Sequence, residues 1–354
     1  MEEGGRRNFL SNYFVPRRGY FVTPVIFYLN LLLYLFVSVY DGNFFLPKGE
    51  TIILLGGDTP SLTLNGEWWR IITSCFLHFG ILHFAFNMFA LIQLGKAIED
   101  FVGSMRMAVV YLFCGIAGGT ASNWWYNASL FSVSAGASGA IFGLLGFFLA
   151  LVTTEFVRKE VRWPLIKSIG GSVLLNLALS TFAQFNNAAH IGGLLAGIFA
   201  GYFMWIIFKL SRYYSKIIFC LLILFSSISL FGFILPLIPK TAVQLNHFLE
   251  RVETQKLNLE NQIEQYLKTP TLSEADTLLF IEKWSAISSK MDSLKSYKED
   301  EELSKMIAIR KKEIQFRKQE TTLLICVNAG NKSKLKELKA VQDSLRNLLS
   351  ENDF

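Results

Sequence analysis

Gly136-Ala137-Ser138-Gly139-Ala140-Ile141-Phe142-Gly143 opens an apolar segment that runs to residue 154 without a charged side chain. It sets one hydroxyl at the mouth of the segment, between residues too small to cover it. Far downstream, Ala189-His190-Ile191-Gly192-Gly193 opens another apolar segment, with an imidazole in the corresponding place. A hydroxyl beside an imidazole is what nucleophilic hydrolysis requires, because a Ser oxygen attacks well only when a base removes its proton. Both groups stand at the start of membrane-length stretches, so the count and direction of those stretches decide whether they meet.

The chain has 354 residues, of which 52% are hydrophobic and 18% charged, with a mean hydropathy of +0.37. A soluble domain averages about 45–50% apolar and about 25% charged. The excess is uneven, filling residues 21 to 238 and leaving the charge to the remainder. A membrane-spanning helix needs roughly 20 mainly apolar residues, and seven stretches qualify: 21–39, 80–98, 106–126, 138–154, 165–183, 190–208 and 217–238. Met1 to Gly19 is polar and Arg-rich and leads straight into the first of them, which is expected to act as a retained insertion signal. The net charge of +6 follows from Lys and Arg in the loops of a membrane protein, so no nucleic-acid partner is expected. Cys75, Cys114, Cys220 and Cys326 show neither CxxC nor any other metal spacing. No metal and no cofactor is expected.

Orientation follows from Lys and Arg near the span ends. Arg6, Arg7, Arg17 and Arg18 precede the first span, and Lys96 and Arg106 flank the second loop. Arg158, Lys159, Arg162 and Lys167 fill the fourth loop; Lys209, Arg212 and Lys216 fill the sixth. Of the alternate loops, 41–79 holds only Lys48 and Arg70, and 127–137 and 184–189 hold none. The bias puts the N-terminus in the cytoplasm and the tail outside. The second, fourth and sixth spans then run the same way. His83 and Asn87 in the second, Ser138 in the fourth and His190 in the sixth fall at one depth, just below the outer surface.

Ser138 alone does not establish catalysis, since membrane helices use Ser to bond their own carbonyls. Nor does Gly136-Ala-Ser138-Gly139-Ala140 match the G-x-S-x-G elbow, because Ala140 replaces the last Gly. Gly193, Gly197 and Gly201 repeat a small residue at every fourth position, and Gly139 and Gly143 do so on the Ser138 helix. Such faces let two backbones approach closely, which would bring His190 within hydrogen-bond reach of Ser138. No Asp or Glu lies in either span, so the pair is expected to work as a dyad. The imidazole is expected to be oriented by packing, with Phe142 one turn below Ser138 as the stacking ring, or by an uncharged hydrogen bond. His83 and Asn87, four apart on one helix face, and the Ser138 backbone N–H at a helix N-terminus form a candidate oxyanion hole. Asn176, mid-span in the fifth helix, is expected to make an ordinary bond between helices. In the first loop, Trp68, Trp69 and Arg70 suit a segment lying at the membrane interface.

His78-Phe-Gly-Ile-Leu-His83-Phe-Ala-Phe-Asn87, Gly136-x-Ser138-Gly139 and Ala189-His190-x-x-Gly193-x-x-x-Gly197 together resemble the three signature elements of rhomboid intramembrane serine proteases. Trp69-Arg70 resembles the family's first-loop motif, and Glu99 also matches. The resemblance covers roughly residues 20 to 210. It implies Ser138 as nucleophile, His190 as general base, His83 and Asn87 at the oxyanion, and a first loop lying partly in the membrane. Some relatives carry Tyr where this chain has Phe142, which can stack but brings no hydroxyl.

The expected fold is an all-α polytopic membrane protein. It comprises a cytoplasmic segment 1–20, a six-span rhomboid-like core 21–210, a seventh span within 211–240 and an extracytoplasmic helical tail 241–354. Tail helices are expected over 242–267, 273–297, 300–327 and 333–350, with a break at Pro270, a capping box at Ser273-x-x-Asp276 and a turn at 328–331. The expected activity is cleavage of single-span membrane proteins in a bacterial cytoplasmic membrane. The partners are transmembrane substrates, the lipid bilayer and an unidentified ligand of the tail. A non-proteolytic adaptor that binds transmembrane helices is the alternative. A transporter fits less well, because its polar residues should lie near the bilayer midplane.

Overall fold

The computed structural model describes residues 9–130, 132–182, 186–210, 215–268, 274–292, 294, 301–328 and 330–350. The chain divides into two compact units, Met1–Ala128 with Ser132–Val243, and Ser129–Phe131 with Gln244–Phe354. Among the described residues there is no β-strand, only isolated bridges at Arg17–Tyr20 and Asp58–Ser134.

Among the described residues the first unit has seven long helices: α1 (Val22–Asp41), α2 (Ile81–Val102), α3 (Ser104–Trp125), α4 (Ser138–Val152), α5 (Lys159–Phe182), α6 (Asn187–Leu210) and α7 (Ser215–Ser229). A π turn, Leu230–Ile234, and a 3-10 turn, Leu235–Leu237, extend α7. Val22–Asp41, Ile81–Val102, Ser104–Trp125, Asn187–Leu210 and Ser215–Leu237 are each long and apolar enough to cross a membrane. Two of the expected spans fall outside that group. At 15 residues α4 is short, and α5 carries Lys159, Glu160, Arg162 and Lys167 in its first half.

The start of α1 is fixed by α2. Glu99, fully buried, accepts the backbone N–H groups of Phe21, Val22 and Thr23 at 2.7, 2.8 and 2.7 Å and the Ser104 hydroxyl at 2.6 Å. A helix N-terminus leaves such N–H groups without intrahelical acceptors and favours negative charge. One carboxylate thus joins α1, α2 and α3. Gly42, left-handed at φ 71°, ends α1.

Between α1 and α2 the chain makes short helical turns tied together by polar side chains. Arg70, buried, donates to the carbonyls of Ile53 and Gly57 at 2.5 and 2.9 Å, pairs with Glu67 at 2.8 Å and lies over the Trp69 ring. Its charge therefore organises the loop's own backbone. Trp68 meets Phe231 of the π turn at 5.3 Å. Leu64, Ile71 and Ile116 form one apolar cluster with Leu235, Ile238 and Val243, so the chain beyond α7 packs on this loop.

The centre of the unit is the contact of α4 with α6. A Cβ on Gly193 would sit 2.0 Å from Gly139 O, and one on Gly197 would sit 1.8 Å from Gly143 O. A side chain of any size is excluded at both positions. Phe147, Leu144 and Leu151 of α4 and Ala200 of α6 are fully buried around that seam. By contrast, the described side chains of α5 include only Ile169, Val173 and Ser180 as buried ones. Asn176 of α5 bonds Ser172 O within its own helix at 2.8 Å, not a neighbouring helix as expected from the sequence. An intrahelical carbonyl four residues back is always in reach, so a polar side chain facing lipid needs no other partner.

The second unit holds most of α8 (Thr241–Leu267) together with α9 (Glu274–Asp292), α10 (Glu301–Asn328) and α11 (Leu335–Ser350). Leu245, Val252, Leu259 and Ile263 of α8, Phe280, Trp284, Ile287 and Met291 of α9, and Ile307, Ile314 and Ile325 of α10 make its core. Their three-, four- and seven-residue spacing is that of a helix with one apolar face. Trp284 Nε1 donates to Thr321 Oγ1 at 3.0 Å within that core. Gly330, at φ 94°, and the bond from Asn331 N to Cys326 O at 3.0 Å close the expected turn after α10. Ser273 and Pro270 lie outside the described residues. His247 is exposed beside Glu250.

Two predictions follow from these contacts. Gly197→Ala should lower stability by about 1–3 kcal/mol, because it forces apart a closely packed pair. Gly170→Ala, whose Cβ would meet nothing within 4 Å, should raise it by up to about 1 kcal/mol through helix propensity. Thermal unfolding in detergent compares them, and equal midpoints would refute the seam's importance. In the tail, burial raises the Glu313 pKa, but bonds from Lys256 and Arg310 at 2.7 and 2.9 Å outweigh this and hold it below the ordinary value. A depressed carboxyl contributes stability above its unfolded pKa and loses it as pH falls through the folded one. Tail helicity should therefore weaken below about pH 4.3, with a shallower acid limb in Glu313→Gln by circular dichroism. Identical limbs would exclude the carboxylate as the cause.

Candidate active site

The segment entering α4 is held on both sides before the helix begins. Ser134 and Asp58 exchange backbone bonds at 2.7 and 2.9 Å, and Gly136 N donates to Ser74 O at 2.8 Å. Asp58 in turn accepts from Thr63 Oγ1 at 2.5 Å and from Asn123 Nδ2 of α3 at 2.8 Å. Gly136 has φ 137°, in the region that favours glycine, and a Cβ there would lie 2.7 Å from the His83 ring. The helix then starts at Ser138, with Ala137 supplying no side-chain cap. Its first N–H groups have no acceptor within the helix.

The start of α6 is set by Asn186. Its Oδ1 accepts Ala189 N at 3.0 Å, the N-cap pattern. Its Nδ2 donates to Ser122 Oγ of α3 at 2.6 Å and to Ser134 Oγ at 3.1 Å. One amide thus joins the helix that bears the His to the strap that leads to the Ser. Asn186 was not singled out from the sequence, although an Asn three residues before Ala189 is a helix-start signal.

His190 Nε2 lies 2.8 Å from Ser138 Oγ. The His190 ring stacks on Phe142, with centroids 4.3 Å apart and planes 7° from parallel. Nδ1 lies 3.3 Å from the hydroxyl of Ser180, on α5, another residue the sequence reading passed over. The imidazole is buried at 5% exposure, so these three neighbours define its orientation.

His83 and Asn87 sit a turn apart on α2. The His83 ring and Ser138 Oγ both border the space that a Gly136 side chain would fill, at 2.7 and 3.7 Å from it. His83 also stacks on Phe79 and meets His78 edge-on at 5.2 Å. Asn87, buried, donates through Nδ2 to His83 O at 2.8 Å, and its amide carries a second N–H. Trp69 and Arg70 serve the first loop. Gly139, Gly193 and Gly197 act through the α4–α6 seam. Among the described residues no group of His, Cys, Asp or Glu is arranged to hold a metal ion.

These features define a multi-pass helical membrane protein that brings a serine and a histidine together at the ends of two closely packed helices. Residues 65–207 match the Rhomboid domain model. The putative rhomboid protease YdcA of Bacillus subtilis is 33% identical over 185 residues, covering 51% of this chain and 86% of that protein. The chain belongs to the rhomboid family. Rhomboid protease GluP of the same organism is 36% identical over 179 residues, 49% of this chain but 32% of GluP. RHOMBOID-like protein 5 of Arabidopsis thaliana is 35% identical over 156 residues, 44% of this chain and 50% of that protein. The matches to these last two relatives thus span a third to a half of their lengths.

Proposed function

We propose that the protein is an intramembrane serine endopeptidase that cuts single-span membrane proteins through a Ser138–His190 dyad. The observation that carries this reading is the 2.8 Å approach of Ser138 Oγ to His190 Nε2, in a membrane protein of a family whose named relatives include proteases. Ser138 Oγ attacks the scissile carbonyl as His190 Nε2 takes its proton. His190 then gives that proton to the departing amine, leaving an acyl group on Ser138. Water, deprotonated by His190, releases the acyl group and restores both residues. The oxyanion is held by the Ser138 backbone N–H, by His83 and by the second N–H of Asn87. The substrate helix must unwind to offer its carbonyl, which favours substrates with helix-weakening residues and a small residue at the cut.

The proposed location is a bacterial cytoplasmic membrane, and the Lys and Arg distribution supports a cytoplasmic N-terminus with the tail, residues 241–354, outside. Protease added to intact cells should then remove the tail, and protease added to inverted vesicles should not. The reverse pattern refutes the orientation.

Purified protein in lipid should cleave a model transmembrane substrate. Ser138→Ala and His190→Ala should each abolish the reaction, because losing either member of such a pair costs on the order of 10⁶ in kcat. Asn87→Ala should lower kcat by about 10²–10³. A fluorophosphonate should label the wild-type chain and not Ser138→Ala. Cleavage that survives Ser138→Ala would sink the mechanism.

A further inference from the structure

We infer that Ser180 of α5 is a positioning residue of the dyad, whose hydroxyl oxygen fixes the tautomer and plane of His190. This rests on the reading of Ser138 and His190 as nucleophile and base. The Ser180 hydroxyl has one proton to give. Ser180 Oγ lies 2.7 Å from Asn176 O, an acceptor without a proton of its own, so the hydroxyl hydrogen is committed there. The same oxygen lies 3.3 Å from His190 Nδ1. With its hydrogen spent, the oxygen can only accept, and Nδ1 must carry the proton. Neutral imidazole carries one proton, so Nε2 is left with its lone pair toward Ser138 Oγ at 2.8 Å. This is the tautomer a general base needs.

The contact also serves the next step. When His190 takes the Ser138 proton it becomes a cation with N–H on both nitrogens. Ser180 Oγ already faces Nδ1 and accepts from it without rearrangement. In a site with no Asp or Glu in α4 or α6, this oxygen occupies the place of the missing carboxylate. Phe142, by stacking, restricts tilt but leaves the ring free to turn about its own normal. A bond in the ring plane removes that freedom.

The neighbours on α5 separate this from ordinary Ser behaviour in membranes. Ser172 Oγ bonds Ser168 O at 2.9 Å and Asn176 Nδ2 bonds Ser172 O at 2.8 Å, both on exposed positions. Ser180 continues that four-residue ladder, but it is buried and touches a second helix. Ser172→Ala therefore controls for loss of a back-bond alone.

The test is steady-state cleavage of a transmembrane substrate in lipid, with the rate of fluorophosphonate labelling of Ser138, for wild type, Ser180→Ala, Ser180→Thr and Ser172→Ala. A neutral hydrogen bond is worth about 0.5–1.5 kcal/mol, so Ser180→Ala should lower kcat roughly 3- to 10-fold. KM should be unchanged, and labelling should slow by the same factor. Ser180→Thr, which keeps the hydroxyl, should stay within about twofold of wild type, as should Ser172→Ala. Wild-type kcat in Ser180→Ala overturns the inference, as does a loss confined to KM. An equal loss in Ser180→Thr or in Ser172→Ala would assign the effect to packing and overturn it too. If the wild-type protein neither cleaves nor labels, the proposed function itself has failed, a result distinct from each of these.

Discussion

The contact between the backbones of α4 and α6 is the constraint on which the rest of the structure depends. Where Gly139 O faces Gly193 and Gly143 O faces Gly197, an added Cβ would come within 2.0 Å. Lipid provides no hydrophobic drive to press helices together, so dispersion between fitted surfaces and a few polar bonds must hold the unit. Close approach over two turns sets the separation of the helix ends above it. A hydroxyl at the first position of one helix and an imidazole in the first turn of the other then meet at hydrogen-bond distance, with Phe142 beneath the imidazole.

The polar connections complete what the seam begins, and they do so from outside the two helices. Asn186 fastens α6 to the strap before α4, and Ser134 and Asp58 fasten that strap to the first loop. Asp58 is held in turn by Asn123 of α3, and Arg70 closes the first loop on itself. The apolar cluster of Leu64 and Ile71 with Leu235, Ile238 and Val243 adds a further brace, supplied by chain beyond the Rhomboid-matching residues. A disturbance at the end of α7 therefore has a packed route to the loop that holds the strap before α4.

Much of this was legible in the sequence, and the reasons differ by element. The long spans showed because hydropathy and length are one-dimensional properties, and lipid enforces both. The tail helices from Thr241 to Ser350 showed because their apolar residues repeat at helical spacing. The stretches 138–154 and 165–183 are helical as expected, with α4 ending at Val152 and α5 already starting at Lys159. Asn176 was expected to reach across to another helix and bonds its own. Ser180 could not be found at all: in sequence it is one more Ser on an ordinary helix. Only the packing of α5 beside the start of α6 makes it a neighbour of His190. Asn186 stood closer to legibility, since its capping position is a local pattern, but its bonds to Ser122 and Ser134 are not.

The shortness of α4 makes the lipid a participant in the site. Fifteen residues rise roughly 22 Å, against a hydrocarbon layer of about 30 Å. Beyond its C-terminal end, Glu155 bonds Lys209 at 2.9 Å and Trp205 Nε1 at 2.7 Å. Charges and an indole N–H of this kind suit the headgroup level of a membrane. With that end at the headgroups, a helix of this length along the membrane normal would leave its Ser138 end some ~8 Å short of the opposite boundary of an average bilayer. A thinner membrane brings the serine toward the surface and its water, whereas a thicker one submerges it. Such mismatch costs fractions of a kcal/mol per Å, small enough for membrane composition to shift, so the hydration of Ser138 would be set jointly by the polypeptide and the membrane around it.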